Sequence, residues 1–200
     1  MGYDLRAPCL LLHSFQAPAA WDELARTGCL RAEEQFIDSL DFTAYRWIAD
    51  ELARVTGQTW RWPIWSWARI TRRALVSEAR RYTRMDPGTV LLTLRVPARL
   101  VLLSKFSDWH CVLNQTPVPR PNLTDDELDR FYDAWYDRLE VDLPQWRTMP
   151  RAGWPKSVTE RLRGNWPQIL DTESYPRRSW WQACLTEIRA EHVIGAVELR

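Results

Sequence analysis

Residues 8–28, PCLLLHSFQAPAAWDELARTG, indicate how the fold begins. The apolar run at 8–15 has the length of a buried β-strand and ends in polar residues. Pro18 then stands where the first turn of a helix tolerates proline, and Gly28 stands where a helix commonly ends in the left-handed conformation. The segment therefore predicts a strand, a short helix and a glycine turn in direct succession.

Similar patterns continue along the chain. Apolar residues recur at helical spacing in four further segments, residues 42–55, 107–114, 124–142 and 158–169. Short apolar runs bounded by turn residues predict more strands at 89–96, 100–103 and 193–199. We predict an α+β fold, a single domain with a small mixed or antiparallel sheet flanked by helices.

The composition is that of an ordinary globular protein. The 200 residues are 46% hydrophobic and 26% charged, and the net charge is +1. Overall charge therefore favours neither nucleic acid nor a membrane surface, and no apolar run approaches the ~18 residues of a membrane span. Four scattered cysteines without a C-x-x-C pair and three histidines without H-E-x-x-H predict reduced thiols, no metal site and a cytoplasmic location.

Tryptophan is the unusual residue, with 13 in the chain. Residues 59–67, TWRWPIWSW, place tryptophans at alternate positions on both sides of Pro63. The pattern predicts an extended segment that Pro63 places at an edge or bend of the sheet. Trp65 and Trp67 could stack on a base, nicotinamide or sugar. The alternative is that they belong to the core or to an oligomer interface.

An arginine-rich stretch follows at residues 69–84. Its apolar periodicity is weak, which leaves a helix and a mobile arm as alternatives. Arginine side chains contact phosphates well, so nucleic acid is a possible partner of this stretch.

A third set of polar residues lies around the predicted helix at 107–114. Ser104, Asp108, His110 and Asn114 surround Trp109, and His110 and Asn114 share a helical face. The set fits the wall of a binding pocket. The alternative is a serine that caps the helix, with His110 and Asn114 in solvent.

Polar residues also stand at the end of the first strand and on the first long helix. His13, Ser14 and Gln16 emerge from a predicted rigid strand, as ligand-binding residues commonly do; the alternative is a histidine hydrogen-bonded to backbone. Arg46, beside Tyr45, could contact a phosphate or carboxylate. The alternative is an arginine that lies over aromatic rings with its head group in water.

Five motifs resemble an uncharacterised bacterial family that is described only as a domain of unknown function. They are the opening W-x-x-L-x-x-x-G-x-L at 21–30, AYRW at 44–47, PIWSW at 63–67, VLLSKFSDWHCVLN at 101–114 and the late QA at 182–183. The resemblance spans nearly the whole chain.

The two ends of the chain are also similar to ADP-ribosyltransferase-like proteins. The opening unit from residue 11 to residue 30 resembles their first motif, where a strand residue, a short helix and a glycine hold NAD. Residues 182–185, QACL, followed by 193–197, resemble the closing motif of the branch that modifies DNA and RNA. That branch has a glutamate where this chain has Cys184.

This similarity implies NAD as the cofactor and assigns roles to particular residues. His13 and Gln16 would clamp the nucleotide, and Tyr45 or a tryptophan would stack on it. Gln182 or Glu187 would contact the ribose or the acceptor, in place of the missing glutamate.

Two hypotheses about function follow. The first is an ADP-ribosyltransferase-like enzyme that acts on NAD or a related nucleotide, with the acceptor left open. The second is a non-catalytic module that binds a ligand or partner in a tryptophan-lined groove. The enzyme hypothesis requires His13, Tyr45 and Gln182 to converge on one cleft. The sequence does not indicate the oligomeric state.

Overall fold

The computed structural model describes residues 4–37, 42–142, 154–175 and 179–200. The helices within this part of the chain are α1 (Pro18–Thr27), α2 (Phe42–Thr56), α3 (Arg72–Met85), α4 (Phe106–Leu113), α5 (Asp125–Asp142) and α6 (Lys156–Asn165). The strands are β1 (Cys9–Gln16), β2 (Cys29–Leu30), β3 (Ile64–Arg69), β4 (Val90–Pro97), β5 (Leu102–Lys105), β6 (Trp181–Leu185), β7 (Ile188–Arg189) and β8 (Val193–Glu198).

Six strands form one antiparallel sheet in the order β5-β6-β3-β1-β4-β8, and β2 pairs with β7 in a small second sheet. The predicted α+β class and the antiparallel sheet flanked by helices are confirmed. The first strand, β1, lies inside the sheet between β3 and β4. The late strand β6 lies between β5 and β3, both of which precede it in sequence.

The opening segment folds as its sequence predicts. Helix α1 has Pro18 in its first turn and ends at Gly28, whose φ is 76°. The N–H of Gly28 donates to the carbonyl oxygen of Leu24 at 2.8 Å. Glycine adopts this left-handed conformation at little cost because it has no Cβ.

The sheet separates two hydrophobic cores because side chains alternate along each strand. On one face, Leu12 and Leu92 pack beneath Leu24 of α1 and beside the β2–β7 pair. On the other face, Leu102 and Cys184 pack against residues from α2, α4, α6 and the 3-10 turn that follows α6. The buried side chains contributed by these helical elements include Ile48, Leu52, Val112, Leu162 and Trp166.

Of the two placements predicted for the tryptophan segment, an edge or a bend of the sheet, the edge is wrong. Strand β3 begins at Ile64, directly after the proline, and pairs with β1 on one side and β6 on the other. Because Pro63 precedes the strand, its missing N–H costs the sheet no ladder hydrogen bond.

The arginine-rich stretch that follows β3 is a helix and not a mobile arm. Thr71 caps α3 by accepting a hydrogen bond from the N–H of Ala74 at 3.2 Å.

Two further tryptophans lie in different environments. Trp180 precedes β6 and is 37% exposed. Its ring lies beside those of Trp67 and Phe106. Trp47 is buried in the core against Trp166, with ring centroids 5.5 Å apart.

None of the helices in the described ranges has the length and apolar character that crossing a membrane requires.

Candidate functional site

A row of polar and aromatic side chains crosses the sheet on one face. Ser104 of β5 is the register partner of Gln182 of β6, and Gln182 is the partner of Trp67 of β3. Trp67 is in turn the partner of His13 of β1, which pairs with Thr93 of β4. Register partners on antiparallel strands project to the same side. Four of these residues were predicted from sequence as site residues, and pairing of distant strands brings them into line.

A cavity of ≈ 270 Å³ lies on this row, between the sheet and two helices. Strands β1, β3 and β6 contribute residues to it, α3 contributes three, and α4 contributes one. The lining residues are His13, Phe15, Trp65, Ser66, Trp67, Glu78, Arg81, Tyr82, Phe106 and Gln182. We call this cavity the sheet pocket.

His13 is the titratable group on the strand side of the sheet pocket. The side chain is 8% exposed, and its Nδ1 lies 3.4 Å from Oγ1 of Thr93. Burial lowers the pKa of His13 because the charged imidazolium is poorly solvated there. The ring is therefore neutral at pH 7 and can both donate and accept a hydrogen bond.

Aromatic rings form much of the wall of the sheet pocket. Trp67 contacts Phe106 with ring centroids 4.7 Å apart. Phe15 stacks on Tyr82 of α3, with centroids 4.5 Å apart and planes 17° from parallel. These rings offer a flat apolar surface to a planar ligand.

Tyr45 does not line the sheet pocket, whereas His13 and Gln182 do, and it contacts the pocket through the ring of Trp65. Its ring lies 6.1 Å from that of Trp65 and 5.7 Å from that of Trp109, both edge to face, and Trp65 lines the pocket. His13, Tyr45 and Gln182 are thus on the same side of the sheet. Arg46, next along α2, is exposed.

Helix α3 supplies a charged pair that sequence reasoning missed. An Oε of Glu78 lies 2.7 Å from a guanidinium nitrogen of Arg81. The guanidinium carbon (Cζ) of Arg81 lies 5.3 Å from the centre of the Tyr82 ring. Among the lining residues in the described ranges, Glu78 alone carries a carboxylate. The sequence did contain one feature that could have drawn attention to Glu78, because it is the one acidic residue in the arginine-rich helix α3.

Ser14 and Gln16 lie apart from His13 because their side chains project from the opposite face of β1. The hydroxyl of Ser14 donates to the carbonyl oxygen of Trp65 at 2.8 Å, and Nε2 of Gln16 donates to Oγ of Ser14 at 2.7 Å. This arrangement fixes the two side chains to the neighbouring strand and to each other. Neither of them lines the sheet pocket.

Glu187 lies beyond the end of β6, outside the sheet pocket. Its carboxylate accepts from Nε of Arg31 at 3.1 Å and from Nε of Arg189 at 2.7 Å, and the Cys29 thiol lies 3.5 Å away. Burial alone would raise the pKa of Glu187, but the hydrogen bonds from Arg189, Cys29 and Arg31 lower it. It lines a separate cavity of ≈ 240 Å³ that also contains Thr186.

Cys184 is the residue that the expected similarity to ADP-ribosyltransferase-like proteins aligns with a glutamate. Its side chain is fully buried among the residues of α2, α4 and α6, and this burial raises the pKa of the thiol.

The predicted set around α4 is divided among different environments. Ser104 and Trp109 are buried, and neither lines the sheet pocket. Asp108 accepts hydrogen bonds from the hydroxyl of Tyr175 at 2.5 Å and from that of Ser107 at 2.6 Å. Its carboxylate therefore ties α4 to the segment that precedes β6.

His110 and Asn114 share a face of α4, as predicted. Neither lines the sheet pocket, although the His110 ring lies 5.4 Å from the ring of Phe106, which does. Both His110 and Asn114 are exposed, and Nδ2 of Asn114 donates to the carbonyl oxygen of His110 at 2.8 Å. They line a third cavity of ≈ 440 Å³ together with Cys111, Tyr132 and other residues. No group of three or more metal-binding side chains occurs in the ranges that the structure covers.

Comparison with known proteins identifies one family. The family described as "Domain of unknown function (DUF3841)" matches residues 11–194, which include all five motifs of the predicted resemblance. The resemblance to an uncharacterised family is confirmed. No curated protein and no solved structure matches the chain.

Proposed function

We propose that this chain, which belongs to the DUF3841 family, is an ADP-ribosyltransferase-like enzyme that binds NAD or a related nucleotide in the sheet pocket. One observation carries the proposal. His13, Trp67 and Gln182, predicted as site residues from three distant parts of the sequence, follow one another across three adjacent strands. They meet where aromatic rings and a charged pair also converge.

The residues of the sheet pocket suit cleavage of the bond between nicotinamide and ribose. When that bond breaks, nicotinamide leaves with the electron pair and positive charge develops on the ribose. An acceptor then bonds to the same ribose carbon and loses its proton; with water as acceptor the product is ADP-ribose. Trp67 would hold the planar ring, and neutral His13 would hydrogen-bond the ribose.

Glu78 supplies the negative charge that this reaction requires. A carboxylate directed at the ribose stabilises the positive charge of an oxocarbenium-like transition state. Glu78 is paired with Arg81 at 2.7 Å. A bound pyrophosphate would compete for Arg81, because guanidinium binds phosphate oxygens in a bidentate manner. Nucleotide binding would thereby release the carboxylate for the reaction.

The surface of α3 beside the sheet pocket fits an anionic acceptor such as nucleic acid. Arg73, Arg80 and Arg84 are exposed and recur at helical spacing on one side of α3. A phosphate backbone along this side would bring its bases near the sheet pocket. Binding of a fluorescent oligonucleotide should then weaken with salt. It should also weaken when these three arginines are replaced by alanine.

Two measurements with NAD test the enzyme. Millimolar NAD should raise the melting temperature, and chromatography should detect released nicotinamide. His13→Ala should abolish both effects. His192→Ala is the matched control, because His192 is also 8% exposed and lines a different cavity. If NAD produces neither a shift nor nicotinamide, the enzyme proposal fails.

The aromatic lining also favours a second candidate, a non-catalytic binding module. Phe15, Trp65, Trp67, Tyr82 and Phe106 line the sheet pocket and would hold a planar ligand without any chemical step. In that case NAD or another planar ligand quenches tryptophan fluorescence, and no nicotinamide is released.

A further inference from the structure

Four buried polar atoms at or beside the sheet pocket have no hydrogen-bond partner within the described residues: Oε1 of Gln182, Nε1 of Trp65, Oγ of Ser104 and Oγ of Ser66. Gln182, Trp65 and Ser66 line the pocket. Ser66 alternates with Trp65 and Trp67 along β3 and so projects from the opposite face of the sheet. Ser104 is completely buried and is the register partner of Gln182 on β5, so it shares a face with Gln182 and Trp65.

The sheet register makes the atoms of Gln182, Trp65 and Ser104 neighbours. Ser104 and Gln182 are partners across β5 and β6, and Gln182 and Trp67 are partners across β6 and β3. Trp65 is the next residue of β3 on the same face as Trp67. The three side chains therefore belong to one patch at the end of the pocket that lies under α4.

Unpaired buried polar atoms are costly, and folded proteins retain few of them. Oε1 of Gln182, Nε1 of Trp65 and Oγ of Ser104 have each lost contact with solvent and have no partner among the residues that the structure describes. Their concentration at one end of a pocket indicates that a bound group completes the hydrogen bonds.

The patch offers both donors and acceptors. The indole N–H of Trp65 can only donate, the carbonyl oxygen of Gln182 can only accept, and the Ser104 hydroxyl can do both. A complementary group must accept one hydrogen bond and donate another within a small planar unit. A primary carboxamide does so. A carboxylate does not, because it has no proton to give to the Gln182 oxygen.

We infer that Gln182, Trp65 and Ser104 select a primary carboxamide attached to an aromatic ring, and that they reject the corresponding carboxylate. The ring lies against Trp67 and Phe106, which are already in contact at 4.7 Å. The inference rests on the proposed function, since nicotinamide carries this group. It adds the chemical feature that distinguishes the substrate from its deamidated form.

The test compares amides with acids of the same shape. Quenching of tryptophan fluorescence is measured with benzamide and benzoate, and then with nicotinamide and nicotinate. Each amide should bind at least about tenfold more tightly than its acid, because the acid leaves a buried acceptor unpaired. Gln182→Leu should remove this preference.

Gln58→Leu is the matched control for Gln182→Leu. Oε1 of Gln58 is also buried without a partner in the described part of the chain, and Gln58 lines a different cavity. This variant should keep the preference for amides. Gln182→Met preserves the length of the side chain and removes the carbonyl acceptor, so it provides a second variant if Gln182→Leu fails to fold. It too should remove the preference for amides.

Two results overturn the inference and leave the enzyme proposal standing. One is equal binding of amide and acid while NAD is cleaved, and the other is an unchanged preference for amides in folded Gln182→Leu and Gln182→Met. A preference for benzamide that Gln182→Leu abolishes supports the inference, even if NAD releases no nicotinamide. The absence of nicotinamide release would refute the enzyme proposal and leave the inference about the carboxamide standing.

Discussion

His13 of β1 and Gln182 of β6 project from the same face of the sheet, each as the register partner of Trp67 on the strand between them. The spacing of antiparallel strands is about 5 Å, so residues from opposite ends of the chain come within about 10 Å of each other. Trp67, which lies between them on β3, contributes an aromatic ring to the wall of the sheet pocket that all three residues line. This relationship is the basis of the proposed site.

Glu78→Gln should lower the rate of nicotinamide release by about a hundredfold or more, with a small change in KM. The amide keeps the shape of the side chain and loses the charge that stabilises the transition state. Steady-state kinetics with NAD measure the effect.

Glu51→Gln is the control for this prediction. Glu51 pairs with Arg54 at 2.5 Å in the same i,i+3 arrangement, on α2 and away from the lining residues. The Glu51→Gln substitution should leave both kcat and KM unchanged. Equal kcat values for the Glu78→Gln variant and the parent enzyme would exclude Glu78 from the reaction.

Gly28→Ala should destabilise the protein by about 1–2 kcal/mol. An alanine Cβ meets no atom within 4 Å at this position, so the cost arises from the φ of 76° alone. Gly164→Ala, inside α6 and equally free of contacts, should instead stabilise by about 0.5–1 kcal/mol. Urea denaturation compares the two, and a change of the same sign in both variants would contradict the conformational explanation.

Stability should fall as the pH is lowered from 7 to about 5.5. Burial lowers the pKa values of His13 and His192 below the ordinary 6.5. The unfolded chain therefore binds more protons than the folded chain just below pH 6.5, and acid favours unfolding. Melting temperatures across this range measure the trend.

A double variant tests the cause of this pH dependence. Replacing both His13 and His192 by glutamine removes the two groups and should flatten the melting curve against pH between 5.5 and 7. An unchanged slope would assign the dependence to other groups.

Trp166→Ala should cost about 3–5 kcal/mol, the range for a large aromatic side chain removed from a core. Trp166 is completely buried, and its indole N–H donates to the carbonyl oxygen of Thr116 at 3.1 Å. Trp60→Ala, at a site that is 39% exposed, should cost much less. Similar midpoints in urea for the two variants would show that the second core is not a main source of stability.

The sequence predicts local structure well where neighbouring residues determine it. Pro18 and Gly28 mark the bounds of α1 because each restricts or permits particular backbone angles regardless of the rest of the fold. Alternation along β1 likewise separates His13 from Ser14. The same alternation places His13 and Gln16 on opposite faces of β1, so the sequence already argues against a clamp formed by these two residues.

Strand pairing and the position of α3 were not predictable in this way. Nothing near Gln182 in the sequence specifies that β6 enters between β5 and β3, since that position depends on two strands formed much earlier in the chain. Glu78 was missed for a related reason. Its proposed role depends on where α3 lies against the sheet. Because α3 has no buried residue, no apolar pattern in its sequence predicts which side of the helix faces the sheet.

The insertion of β6 between two earlier strands has a consequence for biosynthesis. When a ribosome has released the residues up to β5, the main sheet still lacks an interior strand, and β3 and β5 each expose an unpaired edge. The sheet closes only after the C-terminal segment emerges, and its long-range pairings favour slow folding. The nascent chain therefore passes through an aggregation-prone stage, and a chaperone that covers those edges should raise the yield of native protein.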